Sequence, residues 1–169
     1  MELTQAVSQL YHQGEAILSL CASLSEAQAH WKTDPENWSV LEVMAHLLKE
    51  ERLDFRNHLG TIFQETQDIW PEMDPQQWVR EKTKDPGPLE QILLDFKSER
   101  EISLAWLGAL QSPDWEATIT FEWGSLSSGD LLASWLAHDL LHLRQLVALR
   151  YHLTAMESKP FDVAYAGQW

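Results

Sequence analysis

An all-α four-helix bundle is the fold class this sequence predicts, and three observations predict it. Apolar residues recur every three or four positions in four separate stretches, the spacing of one helix face. A long proline-containing connection, Thr61 to Gly87, separates the second stretch from the third. The 169 residues, 44% of them hydrophobic, suit a single domain over residues 1–169 with a sizeable core.

The first helix reads from Leu3 to Leu24, with Leu3, Val7, Leu10, Gly14, Ile17, Cys21 and Leu24 on its stripe. An inward glycine lowers helix stability by about 1 kcal/mol against alanine. Gly14 therefore makes room there, for a bulky neighbour or for a pocket. Cys21 reads as a buried, inert thiol. Residues Ala29 to Trp38 hold Asp34-Pro35 and Asn37 and read as a loop. Ser39 with Glu42 forms a capping box that opens the second helix. That helix runs to about His58 or Leu59, with Gly60 as its stop signal. Its stripe is Val40, Val43, Met44, Leu47 and Phe55; His46 flanks the stripe, with Glu50 one turn on.

Pro71, Pro75 and Pro86 break any long helix in the connection that follows, which has room for a short helical piece. Pro88 suits the first turn of the third helix. Its inner face is Leu89, Ile92, Leu93, Phe96, Leu104, Leu107 and Leu110, interrupted by Glu99 and Arg100. These two either pair at the surface edge or line a polar cavity. Thr118 to Trp123 is β-branched and aromatic and reads as a short extended segment or hairpin arm. Ser127 or Ser128 caps the fourth helix, and Asp130 suits its positive end. That helix ends near Leu153. In the tail, Phe161, Val163, Tyr165 and Trp169 alternate, an arrangement that would pack back on the bundle.

Composition narrows the function classes. A net charge of −14 and a pI near 4.7, with no basic run, argue against nucleic-acid binding and against an anionic membrane surface. One cysteine permits no internal disulfide and fits a reducing compartment. No secretory signal and no membrane-spanning run is visible, so the expected location is the cytoplasm. Of the nine tryptophans, only Trp106 and Trp135 fall well inside helical patterns; Trp31, Trp38, Trp70, Trp78, Trp115, Trp123 and Trp169 fall in loops or at element ends. They read as plugs of a helical core more readily than as a ligand cage.

The fourth helix carries the chemistry. Leu131, Trp135, His138, His142, Leu146 and Leu149 share one face, apolar except at the two histidines. A buried imidazole without a partner costs roughly 1–3 kcal/mol. Backbone carbonyls or a carboxylate would serve; so would one small ion reached by both rings, which lie a turn apart. A third ligand would come from another helix, and His46 is the best placed. His12, His30, His58 and His152 read as surface residues. Glu50 and Gln145, each one turn from a histidine, are candidates for a general base, a fourth ligand or a support for a ligand. Asp139 points away from His138. The run His138-Asp-Leu-Leu-His142 is similar to the zinc-protease pattern His-Glu-x-x-His, but its shorter acid and lack of a downstream ligand other than His152 argue against a protease.

The segment Trp38-Ser39-Val40-Leu41-Glu42-Val43-Met44-Ala45-His46-Leu47, then Trp123-Gly124-Ser125-Leu126, then His138-Asp139-Leu140-Leu141-His142-Leu143-Arg144-Gln145-Leu146, resembles the DinB-like superfamily. The resemblance implies an up-down-down-up four-helix bundle with a long crossover between helices 2 and 3. It implies a divalent metal held by His46, His138 and His142, and no DNA binding. Three neutral imidazoles leave positions open for water or substrate, as catalytic sites do. Zinc, nickel, iron and manganese all accept such ligands. Similar proteins include thiol-dependent transferases that use bacillithiol or mycothiol. The resemblance thus implies a metal-dependent enzyme, a transferase or hydrolase. Its leading form transfers a low-molecular-weight thiol to a small electrophile, and a homodimer is its expected assembly. The alternative is a non-catalytic metal- or small-ligand-binding protein of the stress response.

Overall fold

A computed structural model describes residues 2–64, 86–122 and 124–167. Among these, the elements in chain order are α1 (Leu3–Cys21), α2 (Glu26–His30), α3 (Val40–Leu53), α4 (Phe55–Phe63), α5 (Leu89–Ala109), β1 (Thr118–Phe121), β2 (Gly124–Ser127), α6 (Ser128–Glu157) and a 3-10 turn at Ala164–Ala166. The protein is mostly helical. Most of the Thr61–Gly87 connection, with Trp70, Trp78, Trp123 and Trp169, lies outside the described residues.

Capping chemistry sets several helix starts. Ser39 accepts from the Glu42 amide while Glu42 reaches back to the Ser39 amide, and Ser127 and Asp130 do the same for α6. Sequence reading missed α2: α1 ends at Cys21 rather than Leu24, and Ser25 and Gln28 form a third such box from which the chain turns helical again at Glu26. The second helix also differs from expectation. It breaks at Asp54 (φ −109°, ψ −98°) and then runs through Gly60 to Phe63. The hydrogen-bond ladder crosses the break, Asp54 N–H to Glu50 O at 3.0 Å and His58 N–H to Asp54 O at 2.9 Å. Gly60 does not stop the helix because buried Ile62 continues its apolar face. Pro88 is the N-cap of α5 rather than its first residue, and α6 extends one turn beyond Leu153.

The extended segment is one arm of an antiparallel hairpin, with Ile119 opposite Leu126 and Phe121 opposite Gly124. Half-buried Ile119 and Leu126 pack on the core end formed by Trp135 and Leu107. Among the described tail residues, Phe161 (80% exposed) and Tyr165 (fully exposed) do not pack back, while Val163 is half-buried. The tail's backbone bonds are local, Phe161 N–H to Ser158 O and Ala166 N–H to Val163 O, so alternation there has no sheet to join.

In the bundle, α1 packs on α5 and α6, and α3 packs on α5, α4 and α6. The core falls into two apolar clusters. One holds Ile17, Val40, Met44, Leu47, Phe96 and Leu146. The other holds Leu10, Phe55, Leu59, Leu107, Leu132 and Trp135. On each of the four long helical stretches, a polar or side-chain-free position falls in sequence between the two: Gly14, then Glu50 and Glu51, then Arg100 and Ser103, then His138, Asp139 and His142. A polar layer crosses the bundle at mid-height.

Gly14 makes room in that layer for Arg100. A Cβ at Gly14 would stand 3.3 Å from Arg100 Cγ. Overpacking there displaces a buried guanidinium, so Gly14→Leu is expected to lower stability by about 1–3 kcal/mol in a urea titration. A variant as stable as the parent would show that the layer has slack. Of the two sequence alternatives, Arg100 takes the polar interior and the surface-edge pair with Glu99 is not formed. Arg100 is 4% exposed, while Glu99 pairs outward with Arg52 and Arg56.

Candidate metal centre

Three imidazoles meet in the polar layer. His46 comes from α3; His138 and His142 come from consecutive turns of α6. The Nε2 atoms of His46 and His142 each lie 3.2 Å from Nε2 of His138. Among the described residues these three form a group whose ligand atoms all lie within 4.8 Å of one another. The rings pack edge-on and tilted, with centroids 4.5–5.2 Å apart.

The outer nitrogens say which way the lone pairs point. His142 Nδ1 lies 3.0 Å from Gln145 Oε1, an acceptor, so Nδ1 carries the hydrogen and Nε2 the lone pair. His46 Nδ1 faces the Glu50 carboxylate at 3.6 Å. With a hydrogen on each of those Nδ1 atoms, the Nε2 atoms of His46 and His142 would both present lone pairs beside the Nε2 of His138. Nitrogens about 2.0–2.1 Å from a zinc-sized ion and 3.2 Å apart subtend about 100° at the ion, close to tetrahedral. The donor set fits a divalent cation.

Electrostatics agree. Burial, then the neighbouring His142 and His138, push His46 down to about 3. Burial, then His142, push His138 down to about 4. Burial also lowers His142, against the opposing bond to Gln145. Neutral imidazoles are the form a metal needs. The sign for stability follows. Below its ordinary value near 6.5 a histidine takes up a proton in the unfolded chain but not in the fold. The stabilising contribution of His46 and His138 is therefore full above pH 6.5 and is lost as pH falls towards 4 and 3. The metal-free protein is expected to lose about 1.4 kcal/mol per histidine for each pH unit below that point. Urea midpoints near pH 8 and pH 5 check this; equal midpoints would show the rings are not held neutral.

Aromatic side chains wall the site. Trp38 meets His46 edge-on at 5.1 Å and stacks over His142 at 6.4 Å. Phe55 tilts against His138 at 5.2 Å and stacks on Trp135 at 5.4 Å. Trp38 thus does more than plug an end of the core. Two openings lie near the site, of which the second is lined in part by His142. A depression of about 330 Å³ is lined by Thr33, Asn37, Trp38, Gln145 and His152. A wider groove of about 660 Å³ runs over Leu141, His142, Arg144 and Gln145.

Of the sequence candidates, Gln145 bonds a histidine and Glu50 stands behind another. Two acids and one histidine were missed in these roles. His58, read as a surface residue, is 8% exposed and hydrogen-bonded through Nδ1 to Asp54. Burial would raise the Asp54 carboxyl, but hydrogen bonds with His58 and Glu50 outweigh it and hold it below its usual range. Asp139 does point away from the imidazoles, yet it is 1% exposed and grips Arg100 instead. His12, His30 and His152 are exposed, as read. Cys21 is buried and its thiol is pushed up to about 12, which leaves it inert.

With this geometry in hand, known proteins add the family. The sequence profile described as the DinB superfamily matches residues 9–146. No curated protein matches the chain. Among solved structures, a conserved protein from Enterococcus faecalis superposes with a TM-score of 0.66. It is 16% identical, with 89% of this chain and 96% of that one covered, a likeness of fold.

Proposed function

The chain belongs to the DinB superfamily, and from that premise we propose that His46, His138 and His142 hold one divalent ion for a thiol-dependent transfer to a small electrophile. The observation that carries this is the convergence of three neutral imidazoles on one point. Bound there, such an ion supplies a Lewis-acidic position at which a thiol is held as thiolate near neutral pH. The chain's own residues do the rest. Gln145 holds the His142 ring in one tautomer and orientation. Trp38 and Phe55 keep water from two sides of the imidazoles. The groove over His142 and Arg144 admits a small electrophile, and the depression beside Trp38 receives the polar part of the thiol.

The same membership carries an up-down-down-up course. It is supported by the order in which each helix meets the two core clusters: α1 and α6 pass from the Leu10–Trp135 end to the Ile17–Leu146 end, and α3–α4 and α5 pass the other way. No helix among the described residues is long and apolar enough to cross a membrane.

The test is turnover. The zinc- or nickel-loaded protein is assayed with low-molecular-weight thiols and a chromogenic electrophile, beside His142→Ala. Turnover that needs both the ion and His142 supports the transferase. One tightly held ion with no turnover for any thiol supports the non-catalytic binding protein instead.

A further inference from the structure

We propose that Arg100, Glu51 and Asp139 are positioning residues for the histidines: a buried ion cluster that sets the rotation of α3 and α6 and so the spacing of the three ligand nitrogens. The inference rests on the metal reading above, but it concerns different residues.

The guanidinium of Arg100 has five N–H donors in a rigid fork, and every one is used. Nε–H donates to Glu51 Oε1 at 3.0 Å and Nη2 lies 2.9 Å from Glu51 Oε2. Nη2 also donates to Asp139 Oδ1 at 3.0 Å, and Nη1 to Asp139 Oδ2 at 2.6 Å. The last Nη1 hydrogen goes to the backbone oxygen of Leu10 at 2.9 Å. One side chain from α5 thereby fixes α1, α3 and α6. All three members are at most 4% exposed.

The two carboxylates stand where leverage on the imidazoles is greatest. Asp139 directly follows His138 and precedes His142 by less than a turn. Glu51 lies five residues beyond His46, on the same helix. An imidazole nitrogen sits roughly 6–7 Å from its helix axis, so a 10° rotation moves it about 1 Å. A metal tolerates about 0.2 Å. Apolar packing resists separation of helices but has weak preference for rotation; two bidentate pairs that join side chains of three different helices have a strong one. The cluster is also one negative charge in excess, which favours a cation in the same layer.

Cobalt(II) provides the test, because its visible absorption reports coordination geometry without any turnover. The full chain is titrated with cobalt, and zinc affinity is measured by chelator competition. Asp139→Asn, Glu51→Gln and Arg100→Lys are compared with Leu107→Ala, a core variant outside the ion cluster. Helical circular dichroism checks that each is folded, and Glu51→Gln carries the comparison if Asp139→Asn fails. The cluster variants should bind zinc about 10–100-fold more weakly, with an altered cobalt band, while Leu107→Ala keeps parental values despite its lower stability. Parental spectra and affinities in the folded cluster variants would overturn the inference and leave the metal reading standing. No cobalt band in the parent chain would overturn both.

Discussion

His138→Ala is expected to purify without metal, where the parent chain carries close to one divalent ion. His138 is the central donor, its Nε2 being 3.2 Å from both of the others. Four-ligand zinc sites are worth roughly 10–16 kcal/mol, so losing one ligand removes about 3–4 kcal/mol, or 10²–10³ in affinity. Stability should respond in a way that separates ligation from packing. Without metal, three ring nitrogens crowd within 4.8 Å of one another, and removal of one ring relieves part of that crowding. The melting temperature of metal-free His138→Ala should therefore stay near the parent's. With zinc at about 100 times the parent's dissociation constant, the parent gains about 2.7 kcal/mol, which is about 5–11 °C for a chain of this size, and the variant gains at most about 0.4 kcal/mol. Elemental mass spectrometry of untagged protein and paired thermal melts supply both numbers. A variant that keeps the ion and the zinc-dependent shift would end the three-histidine reading.

Arg100→Met should be the most damaging substitution for stability. It leaves Glu51 and Asp139 as buried carboxylates without their guanidinium donors. Breaking a buried pair in this way costs about 3–5 kcal/mol, which lowers the melting point by roughly 6–20 °C. Burial already lifts the Glu51 carboxyl, with Arg100 the chief opposing influence. In the variant that opposition is gone, so the folded pKa rises further. A raised folded pKa gives stability below the unfolded value near 4.3 and loses it as pH rises, so the deficit against the parent should be largest near neutral pH and shrink in acid. Replacing the whole cluster by Glu51→Leu, Arg100→Met and Asp139→Leu should recover much of the loss, because apolar residues need no partners. A single variant within about 1 kcal/mol of the parent would mean that water reaches the layer.

Most of the helical architecture is legible in the chain, because a period of three to four residues and paired capping boxes at Ser39–Glu42 and Ser127–Asp130 are local signals. The histidines of α6 are legible for the same reason. His46 stood out only as an imidazole bordering an apolar stripe, and its match to the superfamily pattern raised it above the other four. The ion cluster was harder to read. On one helix, neighbours such as His138 and Asp139, or Glu50 and Glu51, point about 100° apart, and sequence logic sends one of each pair to solvent. In a bundle a helix has two neighbours, so both directions lead inward. The break at Asp54 has no proline or glycine to announce it. The tail misled because alternation of Phe161, Val163 and Tyr165 says which side chains share a side, and nothing about whether a surface awaits them.

The wide separation of the ligands bears on how the protein would acquire its ion. His46 and His138 are 92 residues apart. At 5–20 residues per second, His46 emerges from the ribosome roughly 5–20 s before its partners. The His138–His142 pair appears last, on the helix that completes the bundle. Until that helix is made, an ion would find only His46 of the three, and would be held accordingly weakly. Selection among zinc, nickel, iron and manganese would then fall to the finished fold, and an occupant would report the local metal supply as much as the ligand set.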